Sequence, residues 1–316
     1  MNAEPITKVT VLGLGTMGHG IVQTFALAGC RVRSFDSAAT MRETAVERIT
    51  TNLNAARNAG LVTQAAIDDA LGVIEICETE EESLAEAEFV TEAVAEELDV
   101  KQKLFARIEA KVSQTCILAS NTSSFPMTEI AAGLRHPERT VNTHWFNPPH
   151  IVPLVEVVPG EKTEEDTVQK TLELLERIGK VAIRLNVELT GFLVNRVQIA
   201  MYREIFHLLE CGVASAEDID RALTSSVGLR LAAIGPLAVY DFAGIDINSR
   251  AYRNLVPHIR SDTDLPGVVQ KLVDAGHFGV KTGKGIYEYT EAEAEEQRTE
   301  RDRRYLELIK LFYNGS

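Results

Sequence analysis

The segment Gly13-Leu-Gly15-Thr-Met-Gly18 constrains this chain more tightly than any other stretch. It follows a short β-branched run, KVTVL at residues 8–12, and opens a stretch with apolar residues at helical spacing, residues 17–28. Three glycines so spaced suit a strand–turn–helix joint. The first permits the tight turn, the second lets backbone approach a pyrophosphate, and the third lets helix and strand pack closely. The helix N-terminus beyond them presents unpaired N–H groups to a phosphate. A second run, RVRSF at residues 31–35, ends at Asp36, where a carboxylate accepts hydrogen bonds from ribose hydroxyls and repels a 2′-phosphate. The glycine triplet alone is a weak signal. With strand, helix and acid in order it predicts a dinucleotide-binding domain that prefers NAD to NADP, with Gly13, Gly15, Thr16, Met17, Gly18 and Asp36 at the cofactor.

The rest of the first half continues the same alternation. Strands are expected at residues 73–77, 89–94, 117–120, 140–144, 154–158 and 181–185, with helices at 100–111, 127–134 and 164–178 between them. A long helical excursion, residues 38–71, follows the second strand. Strands alternating with helices predict an α/β fold, a Rossmann-type doubly wound parallel sheet. After about residue 189 the pattern turns helical, at 192–209, 216–223, 237–256 and 267–275, and no convincing strand remains. Two domains are therefore expected: residues 1–189 binding NAD, and residues 190–316, all-helical, for substrate and dimerisation. The helical part offers more apolar faces than a small core needs, which points to association.

Charge narrows the partners. The 316 residues carry 32 Lys and Arg against 46 Asp and Glu, a formal net charge of −14. Such a balance repels polyphosphate backbones, no basic patch offsets it, and residues 75–99 contain neither Lys nor Arg. Nucleic acid is thus excluded as a partner, and very polyanionic ligands are mildly disfavoured. The four cysteines, Cys30, Cys77, Cys116 and Cys211, are widely spaced, form no C-x-x-C or Cys/His metal motif, and fit buried free thiols in a reducing compartment. The opening MNAEPITKVTVLG lacks the basic start and cleavage site of a signal peptide, and no apolar run approaches the roughly 20 residues of a membrane span. A soluble cytoplasmic protein is the expectation.

Polar residues concentrate at three strand ends of the second half, where open α/β sheets place ligands. They are Ser120-Asn-Thr-Ser123-Ser124, His144-Trp-Phe-Asn147-Pro-Pro-His150, and the strand carrying Glu156. Oxidising an alcohol with NAD needs a base for the hydroxyl proton, and histidine is the commonest choice. A lone histidine at a strand end is nevertheless more often structural than catalytic. Glu156, in the apolar run PLVEVV, is harder to dismiss, because burying an unpartnered carboxylate costs several kcal/mol. His144 is its candidate partner. His150 could line a substrate pocket, whereas His19, His136, His207, His258 and His277 show no partner in sequence.

These segments carry a family resemblance. VTVLGLGTMGHGI, ASNTSS, HWFNPP, PLVEV, GFLVNR, the GPL and DFAGID stretch, and FGVKTGKGIYEY occur in family-like order, and the chain resembles the short-chain L-3-hydroxyacyl-CoA dehydrogenase superfamily over essentially its whole length. The resemblance implies that His144 is the base, that Glu156 pairs with it, and that Ser123 and Asn195 touch the substrate oxygen. It implies Asn147 near nicotinamide and substrate, NAD contacts from Glu96, Lys101 and Lys281, a bystander role for Ser124, and a homodimer through the helical domain.

The chain departs from the CoA-dependent pattern in two places. LTGFLVNR has Thr190 where many relatives have proline, which touches only the linker. SSVGLRLAAIGP carries Arg230 where CoA enzymes have a glycine-rich, Met-Gly-Pro type sequence. The latter resembles members acting on free hydroxy acids, such as carnitine and gulonate dehydrogenases, and the run HWFNPPHIVPLVEVVPGEKT resembles the pyridine-carboxylate dehydrogenase of vitamin B6 degradation. Residues 37–72 hold three arginines, four acids and no lysine, a poor reception for the phosphates of CoA. One arginine can grip one carboxylate bidentately, so Arg230 is the candidate substrate anchor, against the alternative of an ordinary surface or interface arginine. Expected is reversible NAD-dependent oxidation of a small (3-)hydroxy acid. The alternatives are a 3-hydroxybutyryl-CoA dehydrogenase and, from another class, a catalytically silent NAD-binding protein on the same scaffold. The 6-phosphogluconate-like β-hydroxyacid dehydrogenases share GLGTMG but use a lysine on the interdomain helix, where this chain reads GFLVNRVQIAMYRE.

Overall fold

The computed structural model describes residues 5–313. Eight strands form one sheet: β1 (Lys8–Leu12), β2 (Arg31–Phe35), β3 (Ile74–Ile76), β4 (Phe89–Glu92), β5 (Ile117–Ser120), β6 (Thr140–Trp145), β7 (Leu154–Val158) and β8 (Val181–Arg184), in the spatial order β3-β2-β1-β4-β5-β6-β7-β8. The chain winds outward from β1 in both directions, which opens a crevice beyond the carboxyl ends of β1 and β4. Each face of the sheet is covered. Ile21, Val22 and Phe25 of the helix Gly18–Leu27 join Ile49, Leu53 and Ile67 of the excursion and Leu174 and Leu175 in one core. Leu104, Phe105 and Ile108 of the helix Leu98–Glu109 pack with Leu12, Val90 and Leu118 in the other.

The sheet is not wholly parallel. β6 and β7 run antiparallel, whereas every other neighbouring pair is parallel. Residues 146–153 supply the connection, and a parallel crossover needs roughly a dozen residues or more, so the strand must reverse. The expected long excursion is three helices, Ala39–Glu43, Ala45–Asn58 and Gln64–Gly72; Gly60, at φ +74°, ends the second. The expected helix 237–256 is likewise two, Pro236–Phe242 and Ile245–Leu255, parted where Gly244 takes φ +91°.

Two compact units result, one ending at Asn195 and regaining the chain from Thr299 onward, the other comprising Arg196–Arg298. By compactness the first unit thus runs a few residues past the expected 189/190 division. Phe192 explains the shift, since it is buried with Val158 and Leu185 and keeps the chain on the first unit. The second unit is helical, with only isolated bridges at Gly279, Lys284 and Glu288, and its helices from Ala216 to Asp274 contain no buried residue. Leu237 and Phe242 are 84% and 85% exposed. Among the described residues no single helix is long and apolar enough to cross a membrane. All four cysteines are free, but Cys211 is exposed, unlike the buried Cys30, Cys77 and Cys116, which corrects the expectation of four buried thiols.

Candidate active site

The glycine turn has the geometry its spacing predicts. Gly13, at φ +94°, donates from its N–H to Phe35 O at 2.8 Å, and a Cβ there would stand 2.6 Å from Ala93 O. At Gly18 a Cβ would lie 1.7 Å from Gly13 O, so only glycine fits. A Cβ on Gly15 would meet nothing within 4 Å, leaving its backbone open to a ligand. Asp36 holds the turn with Oδ2 on Leu14 N at 2.7 Å and accepts from Ala38 N at 2.8 Å through Oδ1. A cavity of about 540 Å³ opens beside these residues, lined further by Val94, Val100, Leu104, Lys103 and Arg107. Open backbone, helix N-terminus, acid and adjoining cavity suit pyrophosphate, ribose and adenine in turn. Thr16 is exposed and Met17 half-buried against the core. Arg48, from the excursion, donates to Leu14 O at 2.8 Å and Met41 O at 3.0 Å, fixing the turn from outside; nothing in the sequence singled it out.

His144 and Glu156 face each other directly across β6 and β7. Nδ1 of His144 lies 2.7 Å from Glu156 Oε2, and both side chains are buried. A carboxylate can only accept, so Nδ1 carries the hydrogen and the Nε2 lone pair is left free. The other carboxylate oxygen of Glu156 accepts from Leu193 N at 3.2 Å and Val194 N at 2.9 Å. Those amides are delivered by a left-handed pair, Gly191 at φ +77° and Phe192 at φ +53°. For Phe192 this conformation costs about 1–2 kcal/mol, which burial of its ring, worth about 1.5–3 kcal/mol, offsets. The Phe192 and Phe146 rings flank the imidazole at 5.4 and 4.4 Å. Phe192 escaped the sequence reading because nothing in GFLVNR announces a positive φ at a phenylalanine.

Glu96 organises the serine loop. Its Oε1 accepts from Thr122 Oγ1 at 2.7 Å, Ser123 N at 2.9 Å, Ser123 Oγ at 3.2 Å, Ser124 N at 3.1 Å and Ser124 Oγ at 2.8 Å. Burial would raise its pKa, but the Thr122 and Ser124 hydroxyls, the Lys101 charge and the Ser123 amide outweigh it and hold the carboxyl at about 2. Ser124 belongs to this cluster through both its amide and its hydroxyl, and so helps hold the turn. Asn195 Nδ2 reaches Ser123 O at 3.5 Å.

Lys101 does not sit where a direct NAD contact was expected. It has no exposed surface, because its ammonium is enclosed by Glu92 Oε1 at 2.9 Å and Oε2 at 3.0 Å and lies 3.2 Å from Glu96 Oε2. It acts on the site through Glu96. Glu92, which also accepts from Ser120 Oγ, was missed, although FVTEAV carries the same buried-carboxylate signal as PLVEVV. Asn147 is exposed on the turn after β6. Lys281 and Arg230 belong to the helical unit: Lys281 is exposed in the turn closed by Gly279 N on Lys284 O at 2.8 Å, and exposed Arg230 donates Nε to Ser226 O at 3.3 Å.

With this geometry in place, comparison with known proteins is decisive. The model of the NAD binding domain of 3-hydroxyacyl-CoA dehydrogenase matches residues 8–188, and that of the C-terminal domain matches residues 191–289. The chain belongs to the 3-hydroxyacyl-CoA dehydrogenase family. It is similar to 5-formyl-3-hydroxy-2-methylpyridine 4-carboxylate 5-dehydrogenase of Mesorhizobium japonicum, 33% identical over 97% of this chain and 98% of that one. Its similarity to a probable 3-hydroxybutyryl-CoA dehydrogenase of Bacillus subtilis is 36% over 90% and 98% of the two chains. L-carnitine dehydrogenase of Streptomyces coelicolor is 35% identical over 76% of this chain and 74% of its own. Among solved structures, a pyridine-carboxylate 5-dehydrogenase described as an NAD+-dependent dismutase superposes with a TM-score of 0.91 at 32% identity, covering 97% and 98% of the chains. The (S)-3-hydroxybutyryl-CoA dehydrogenase of Ralstonia eutropha gives 0.74 at 32%, covering 90% and 99%. The protein is thus an NAD-dependent oxidoreductase of this family, a dehydrogenase acting on a CH–OH group.

Proposed function

We propose that this family member reversibly oxidises the secondary alcohol of a small free hydroxy acid to the ketone, with His144 as the base. The observation that carries the reading is the buried His144–Glu156 pair at 2.7 Å. The free Nε2 takes the hydroxyl proton, and the positive charge then on the imidazole is stabilised by Glu156, which the Leu193 and Val194 amides hold in place. NAD, held at the Gly13–Gly18 turn and Asp36, would supply the acceptor for the hydride that leaves the alcohol carbon. Ser123 Oγ is exposed and loosely held at 3.2 Å by Glu96, so it can turn its hydrogen to the substrate oxygen, with Asn195 beside it.

Free acid is favoured over thioester by the state of the excursion's arginines. Arg42 donates to Asp36 O at 2.8 Å and pairs with Glu78, Arg48 is spent on Leu14 and Met41 carbonyls, and Arg57 is bonded to Gln64. None is held in reserve for phosphates. The extent of likeness to the pyridine-carboxylate enzyme supports the same choice, with Arg230 taking the substrate carboxylate. The second reading, a 3-hydroxyacyl-CoA substrate, draws on the Bacillus subtilis relative. The helical unit's exposed apolar faces support a homodimer through that unit, and free buried thiols in an acidic chain agree with a cytoplasmic location.

A panel measuring NADH formation tests the reading: 3-hydroxybutyryl-CoA against free 3-hydroxybutyrate, carnitine, gulonate and hydroxymethyl-pyridine carboxylates. A free acid is expected to be turned over best. Strong preference for the thioester overturns the free-acid assignment, and NADH binding with no turnover of any member supports a silent scaffold instead.

A further inference from the structure

Lys180 is a buried cation whose hydrogen bonds reach no carboxylate. The residue is 8% exposed; its Nζ donates to Pro149 O at 2.6 Å and Val152 O at 2.9 Å and stands 5.1 Å from the Trp145 ring centroid. Taking an ammonium out of water costs several kcal/mol, which carbonyls and an aromatic face recover less fully than a counter-charge does. Burial accordingly pushes its pKa down to about 7. A methionine would fill much the same slot without burying a charge, but would leave both carbonyls without their donor.

What the ammonium holds is specific. Both carbonyls belong to residues 146–153, the turn between the strand of His144 and the strand of Glu156, and Trp145 is His144's neighbour in the chain. The same turn carries Asn147. It also presses on the dinucleotide helix, where a Cβ on Gly20 would lie 2.8 Å from Pro149 Cγ and 3.0 Å from His150 Nδ1. His150, on the same turn, feels the Lys180 charge and is held at about 3 by burial first and then by His19, Lys180 and Arg301, none of them an acid. The turn is thus clasped by Lys180 and seated on Gly20.

We propose that Lys180 is a positioning residue for the dehydrogenation: its ammonium pins the turn 146–153, keeping Asn147 and the His144 strand in register with the dinucleotide-binding helix. The proposal rests on His144 being the base. It accounts for a charge buried away from any carboxylate, because a reacting group displaced by about 1 Å can cost a hundredfold in rate.

The test compares wild type, Lys180→Met, Lys180→Arg and His144→Gln. It reads kcat and KM from NADH formation with the best substrate of the panel, NADH affinity by fluorescence titration, and the thermal midpoint. Lys180→Met is expected to lower the midpoint modestly, to keep NADH affinity within about threefold, and to lower kcat about tenfold to a hundredfold. Lys180→Arg stays charged, so it should keep most of kcat and lose the decline that wild type shows as pH rises past about 7. Wild-type kcat in Lys180→Met overturns the proposal. If Lys180→Met does not fold, the pH profile decides: a wild-type kcat that holds steady above that pH, or that declines identically in Lys180→Arg, overturns it. Full activity in His144→Gln removes the reading beneath the proposal instead.

Discussion

His144 and Glu156 are direct partners in an antiparallel ladder, and their side chains meet at 2.7 Å between two aromatic rings. The strand register sets this contact, so neither a flexible loop nor a domain movement is needed to form the pair. Of the two, His144 bears the proton, and His144→Gln should lower kcat by about 10²- to 10⁴-fold. NADH binding, followed by fluorescence, should be unchanged. A variant with undiminished turnover would remove the base from the scheme.

Glu156→Gln separates orientation from burial. If the amide oxygen stays on the Leu193 and Val194 N–H groups, its NH₂ faces His144 and donates where the carboxylate accepted. The imidazole must then expose N–H rather than a lone pair, and kcat should fall by a factor comparable to His144→Gln, about 10²- to 10⁴-fold. Thermal melting should show loss of one charge-assisted bond, about 1.5–3 kcal/mol.

Two glycines of the dinucleotide turn should behave differently. Gly18→Ala drives a methyl group to within 1.7 Å of Gly13 O and should destabilise by at least the upper end of about 1–3 kcal/mol. Gly15→Ala meets no protein atom within 4 Å, so its melting should match wild type while NADH affinity drops. Equal melting losses in the two variants would contradict this division.

The serine loop should loosen in acid. Glu96 titrates at about 2 in the folded protein, below its usual 4.5, so its contribution to stability is complete above about 4.5 and lost as pH falls toward 2. Denaturant unfolding of wild type and Glu96→Gln should therefore differ most near neutrality and converge across that window. A constant difference would mean that the cluster on Oε1 does not depend on the charge.

Arg230→Ala should raise KM for the best carboxylate substrate by about tenfold to a hundredfold, the equivalent of one charged hydrogen-bonded contact. A ground-state anchor leaves kcat largely alone. An unchanged KM would return Arg230 to the surface.

The parts of this fold that sequence makes legible are those with a local cause. β1, the glycine turn and Asp36 follow from residues that tolerate few other conformations, and Glu156 is visible because an acid in an apolar strand demands a partner. Glu92 sends the same signal, but its partner Lys101 lies on an exposed-looking helix turn, where a lysine reads as solvated. Other features have distant causes. The boundary at Asn195 depends on Phe192 finding Val158 and Leu185, and Lys180, just ahead of β8, gives no hint of the carbonyls it meets. Tertiary packing decides such places, and no window of neighbouring residues contains the information.

The reversal between β6 and β7 also decides where acid and base sit. In an antiparallel pair the residues beside the turn on one strand face those beside it on the other, so His144 and Glu156 fall opposite each other across a connection of only eight residues, 146–153. The two paired strands thereby carry His144 and Glu156 to the same end of the sheet, beside the turn 146–153 that joins them and that Lys180 clasps.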